Sequence, residues 1–181
     1  MAVVESLSKA FYWSIKYFLS DNSDLILDIG DRVYLDFPLF KYNKPLPYVL
    51  ITDYIILGSP DSQPYQGASS ELLRFEFVLS VHCSTHAEQT WLPEKVKRII
   101  LSEQVTDGDE TIDGIQIYKG FTPQGDADAN SELYTAELNM GNIIPLGGEV
   151  ISDVQRRYRS NMTVWSDVVK DKTKIFLTAD S

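Results

Sequence analysis

The most constraining stretch of the chain covers residues 71–103, ELLRFEFVLSVHCSTHAEQTWLPEKVKRIILSE. Its first half alternates. Leu73, Phe75, Phe77, Leu79 and Val81 fall on one side, and Arg74, Glu76, Ser80 and His82 on the other, with Val78 the one exception. Successive side chains of a strand point to opposite faces, so this pattern predicts a strand with one buried face. The second half changes period. Leu92, Val96, Ile99 and Ile100 recur at helical spacing, with Glu94, Lys95, Lys97 and Arg98 between them. That is the stripe of an amphipathic helix. Thr90 is the expected cap, which puts Pro93 in the first turn, where a missing N–H costs little. A long apolar strand feeding directly into such a helix predicts a sheet centre and the layer packed on it.

The flanking segments extend this pattern. Val4, Leu7, Phe11, Ile15, Phe18 and Leu19 form a helical stripe, predicting a first helix from about Val3 to Leu19. A short helix capped at Ser23 and ended by Gly30 follows, with a strand as the alternative. Residues 31–38 alternate and read as a strand stopped by Pro38. Residues 39–47 read as a loop, and residues 48–57, YVLITDYIIL, as a β-branched strand. Polar loops are expected near 58–70 and 105–131, interrupted by a short strand at 115–121. Another strand is expected at 133–140, and then an irregular GNIIPLGGE segment. Residues 154–169 alternate throughout. Sixteen residues are long for one strand, so a bend or split near Ser160 is expected. The tail at 175–181 is expected to fray. Helices bracketing a run of strands predict an α+β fold, a twisted mixed or antiparallel sheet with helices on one face. At 181 residues the chain is expected to be a single domain spanning 1–181.

Charge is the informative part of the composition. The formal net charge is −10, the wrong sign for a general nucleic-acid binder, whose affinity comes from phosphate contacts. The charge is also unevenly spread. Residues 103–137 hold nine acidic side chains against Lys119 alone, and residues 153–174 hold six basic against three acidic. Such polarity suits surfaces that meet complementary neighbours, although charge runs are commonly just solvated. The single cysteine, Cys83, allows no intramolecular disulfide and fits a reducing compartment. No signal peptide is expected, and no apolar run approaches the roughly 20 residues that span a bilayer.

Catalytic and metal signatures are weak. His82, Cys83 and His86 cluster, but adjacent strand residues point to opposite faces, so His82 and Cys83 cannot share a site as a nucleophile and base. Zinc needs three or four ligands, and the chain has no further His or Cys. A buried Cys83 beside two surface histidines is the expectation. Asp126, Asp128, Asn130 and Glu137 fall at positions 1, 3, 5 and 12 of a calcium loop. Ser131 stands where the turn wants Gly, however, and no helical pattern precedes it. Phosphate-binding glycine loops, GxSxG and HExxH do not occur. The expectation is a chain that is not an enzyme and holds no cofactor or metal.

Several motifs carry a family resemblance: Gly30, Arg32, Val33, Tyr34 and Pro38 in GDRVYLDFP; Pro47, Tyr48 and Val49 in LPYVLITDY; and the strand-to-helix run from Arg74 to Ile100. With the N-terminal helix before them, they resemble the tail terminator, or tail completion, proteins of tailed phages, over roughly residues 3–101. The resemblance implies a non-enzymatic virion protein of the tail or neck, assembled in the host cytoplasm as a homo-oligomeric ring, a hexamer. Its implied partners are the tail tube protein, which it caps to end polymerisation, the head–tail connector and, in a contractile tail, the last sheath ring. No membrane is involved, and DNA only passes through the lumen. Another neck or tail-tube component is the alternative in the same class; a small calcium- or ligand-binding module is the alternative outside it. In a ring, Arg156, Arg157 and Arg159 are the expected contacts to a neighbouring subunit or the tube. Some of Asp107, Asp109, Glu110, Asp113, Asp126 and Asp128 are expected to face the lumen, where acidic walls keep DNA from binding.

Overall fold

The alternating stretch is a strand, Ser70–Cys83, and the stretch of helical period is a helix, His86–Leu101. The computed structural model describes residues 2–3, 6–35, 44–58, 70–107, 109–152 and 155–171. In chain order these form β1 (Ala2–Val3), α1 (Leu7–Asp21), α2 (Ser23–Ile29), β2 (Val33–Leu35), β3 (Tyr48–Gly58), β4 (Ser70–Cys83) and α3 (His86–Leu101). There follow β5 (Gln104–Asp107), β6 (Glu110–Asp113), β7 (Ile115–Tyr118), β8 (Gly120–Phe121), β9 (Glu132–Ala136), β10 (Asn139–Met140), β11 (Ile144–Ser152) and β12 (Gln155–Asp171). The fold is α+β.

The main sheet has β4 in its middle. Its order is β10–β12–β4–β3–β2, with β11 also on the outer edge of β12. All neighbours are antiparallel except β2, which runs parallel to β3. Cross-strand polar pairs sit at this register. Arg74 lies opposite Asp167 and donates two hydrogen bonds to it, at 2.8 and 2.9 Å. Ser80 lies opposite Asn161 and donates to Oδ1 at 2.9 Å. Both residues of the Arg74–Asp167 pair are over 40% exposed, so that pair helps fix alignment and adds little stability.

Phe75, Phe77, Leu79, Val81 and Cys83 are fully buried on one face of β4, together with Met162 and Val164 beside them on β12. The helices cover this face. Phe11 of α1 stacks on Phe75 with ring centroids 4.9 Å apart, and Leu92, Val96, Ile99 and Ile100 of α3 are buried in the same core. A second β layer lies against α1. Ser14 Oγ donates to Ala10 O at 2.8 Å and accepts from the Tyr118 N–H at 2.9 Å, joining the helix to β7, which pairs with β9. Burial on two sides explains why Trp13 also meets Phe121 of β8, while Phe11 meets β4.

Several boundaries differ from the sequence expectations. The first helix starts at Leu7, because Ser6 caps it by accepting from the Lys9 N–H at 3.3 Å, and Ala2–Val3 pairs with β8 instead. The cap of α2 is Asn22, one residue before Ser23. Gly30 closes it at φ +61, a conformation that favours glycine. The third helix starts at His86, and Thr85, not Thr90, is its cap. The Glu88 N–H donates to Thr85 Oγ1 at 3.1 Å, and Glu88 Oε2 accepts from the Thr85 N–H at 3.3 Å, a reciprocal capping box. Pro93 therefore lies inside the helix, where it withholds a donor from the Gln89 carbonyl. The acidic stretch from Gln104 is a β5–β6 hairpin, and GNIIPLGGE belongs largely to β11. β12 is one strand of 17 residues with no split at Ser160. β4 holds it in register from Tyr158 to Asp171, while its outer neighbour changes from β11 to β10. The loop at 59–69, Pro38 and the tail at 175–181 lie outside the described residues.

Gly114 marks the tightest backbone approach. It adopts φ +143, and a Cβ there would lie 2.4 Å from Ala136 O. Phe77→Ala removes a fully buried ring between β4 and α1 and is expected to lower the unfolding free energy by about 3–5 kcal/mol. Denaturant titration checks this; an unmoved midpoint would contradict the packing described.

Candidate functional site

The two ends of α3 carry chemically opposite surfaces. At its N-terminal end, Gln89 Nε2 donates to Arg159 O at 2.8 Å and Leu146 O at 2.9 Å, holding the helix to β12 and β11. The last residue of β4, Cys83, pairs with Tyr158. Beyond it, Arg156 and Arg157 pair only with β11, opposite Val150 and Glu149. This part of the molecule is a two-stranded arm standing past the end of the sheet.

The three arginines separate here. Arg157 is 4% exposed, ion-paired with Glu149 and donates from Nη1 to the Tyr48 hydroxyl at 3.4 Å. It therefore fastens the arm to β3. Arg156 and Arg159 are exposed on opposite faces of β12.

Beneath Arg157 and Arg159 lies His82, which sits opposite both Arg159 on β12 and Tyr48 on β3. It is 3% exposed, and its ring stacks on Tyr48 with centroids 4.4 Å apart and planes 17° from parallel. The expected surface histidine is thus a core residue, buried by ring stacking with a strand far away in sequence. Burial, then the charges of Arg157 and Arg159, lower its pKa to about 3, so the ring is neutral near pH 7. Neither ring nitrogen has a hydrogen-bond partner among the described residues. Cys83 is buried on the other face, and burial with nearby Glu88 pushes its thiol up to about 12. His86 is exposed at the start of α3, edge-on to Tyr158. These groups do not converge on one point. Among the described residues no three His, Cys, Asp or Glu side chains are placed to hold a metal ion.

At the C-terminal end of α3 the chain enters a groove of about 440 Å³. Tyr17 and Phe18 of α1 and Tyr118 of β7 form its aromatic walls, and Asp21, Glu103 and Glu132 bring carboxylates; among the described residues no Lys or Arg lines it. Tyr17 and Tyr118 meet edge to face at 6.2 Å. Burial raises the Glu103 pKa, and it also raises that of Tyr118, with Glu132 adding to it. Burial, Asp21 and Asp126 raise the Tyr17 pKa. Aromatic faces edged by carboxylates favour a cation. No single segment announces this groove, since its walls come from α1, the α3–β5 junction, β7 and β9.

The acids expected in the lumen fall in two places. Asp109, Glu110 and Asp113 are exposed on the β5–β6 hairpin, with Asp113 accepting from Gln104 Nε2 at 2.7 Å. The Asp107 side chain lies outside the described residues. Asp126 and Asp128 organise the 122–131 loop: the Asp126 N–H donates to Thr122 Oγ1 at 3.1 Å, and Asp128 Oδ1 accepts from the Asn130 N–H at 3.1 Å. Among the described residues no helix is long and apolar enough to cross a membrane. Comparison of the chain with protein-family models and with curated proteins gives no match.

His82 has a thermodynamic consequence. Its folded pKa of about 3 lies below the ordinary 6.5, so the unfolded chain binds the extra proton between these values. Its contribution to stability is complete above pH 6.5 and falls with pH by at most about 1.4 kcal/mol per unit until the folded value is reached. His82→Phe keeps a ring against Tyr48 without a titrating group. Unfolding free energies measured from pH 7 to pH 4 should show a shallower acid loss in the variant than in the parent chain; parallel curves would contradict the buried neutral ring.

Proposed function

We propose that this chain is a ring-forming tail terminator, a structural virion protein that caps a phage tail tube and receives the head connector. The observation that carries the reading is that described motif residues behind the resemblance, although separated in sequence, contact one another. Gly30 turns the chain out of α2, and Arg32 Nε donates to Pro47 O at 2.8 Å. The Val49 N–H donates to Arg32 O at 3.0 Å, and Val33 pairs with Val49. The Tyr34 and Tyr48 rings meet at 5.8 Å, and Tyr48 stacks on His82 within the strand-to-helix run. A motif set that forms one continuous packing unit has a physical reason to occur together, which scattered common residues lack.

Charge supports the same reading. In the ring, the exposed β5–β6 hairpin with Asp109, Glu110 and Asp113 faces the lumen, where it repels the phosphates of passing DNA. Arg156 and Arg159 stay away from the lumen and meet protein. The tube, the connector and, in a contractile tail, the sheath are the partners.

Electron microscopy of the purified protein, alone and mixed with tail tubes, tests the proposal. The expected images are closed rings, hexameric in projection, and tubes capped at one end. Isolated monomers in both preparations, with tube ends left bare, would overturn it.

A further inference from the structure

We propose that the arm of one copy docks in the acidic groove of the next, with Arg156 entering among the carboxylates and Val150 packing on the tyrosine walls. Val150 and Arg156 are direct cross-strand partners, so their side chains share one face of the arm. Both are exposed, Val150 at 66%. Among the described residues Arg156 has no ion-pair partner. The opposite face of the arm is occupied, since Arg157 there is tied to Glu149 and Tyr48. The arm therefore presents an apolar side chain beside a cation with no ion-pair partner among the described residues, on a base held by the buried Arg157.

The groove offers the complement. Tyr17, Phe18 and Tyr118 supply apolar and ring surface, and Asp21, Glu103 and Glu132 supply charge with no cation among the described lining residues. A guanidinium suits this lining because it pairs with carboxylates and stacks on aromatic faces. The occupant is a second copy, because a chain cannot fill its own groove. The arm lies at the start of α3 and the groove at its end, and a helix of 16 residues separates them by about 24 Å. Two different, complementary patches on one rigid body make a head-to-tail contact, which builds a ring if the rotation closes. That closure rests on the ring reading above; the contact itself is a separate claim.

The test is charge exchange followed by sedimentation velocity. Arg156→Glu and Glu132→Arg both change exposed side chains, and unchanged melting of each variant verifies its fold. Each variant alone should associate at least about tenfold more weakly than the parent chain. Arg156→Gln, which removes the charge without reversing it, should shift in the same direction. An equal mixture of Arg156→Glu and Glu132→Arg should reassemble, because each variant's arm then meets a groove of opposite charge. If both variants assemble as the parent does, or if the mixture fails to recover, the arm–groove contact is wrong while the ring reading stands. If the parent chain itself stays monomeric with and without tail tubes, both fall.

Discussion

The pairing of β4 with β12 is the constraint on which the rest of the molecule depends. All 14 residues of β4 have a partner on β12. The pairing aligns the apolar faces of both strands, so Phe75, Phe77 and Leu79 form one surface with Met162 and Val164. A register slip of one residue would turn that surface to the other side. It would also displace Arg159 from His82 and leave the arm unsupported. Burying each large apolar side chain contributes about 1.5–3 kcal/mol, and α1 and α3 gain that contribution only while the two strands stay in register.

From this pairing follows the separation of charge. β12 continues past the end of β4 and carries Arg156 and Arg157 beyond it, with Arg159 at the last rung but one, and α3 returns the chain to the opposite end, where Glu103 begins the acidic region. The same strand-to-helix connection that builds the core thus keeps cationic and acidic surfaces apart. Arg157 shows how local context divides like residues. With Glu149 and Tyr48 in reach it becomes a structural bolt, while Arg156, one position earlier and on the other face, stays available for a partner.

What the sequence revealed depended on how local the cause was. β4 and α3 were legible because their periods, 2 and 3.6, follow from backbone geometry alone. The start of α3 is encoded in Thr85 and Glu88, a capping-box spacing, but a proline suits a first turn, so Pro93 favours a later start. β11 was not legible. Pro145, Gly147 and Gly148 read as breakers, and the strand forms around them with a shift in register between Leu146 and Glu149 because β12 provides a partner edge. His82 was misplaced for a related reason. Alternation put it on the polar side of β4, whereas its burial comes from Tyr48 on another strand. The groove was invisible because its walls come from separate segments that only the fold assembles. The acidity of residues 103–137 was plain; which carboxylates would stand beside tyrosines was not.

The sheet, the arm base and the helices act as one mechanical unit, and the proposed head-to-tail contact needs its two surfaces held at a fixed separation. Native-state hydrogen exchange, resolved by residue, tests this most directly. The amides of β12 that bond to β4, from Tyr158 to Val168, should exchange together with those of β4, at the free energy of global unfolding. Exchange of the 158–161 segment well before the rest of β12 would mean that the arm's base opens independently, and would contradict the single rigid frame.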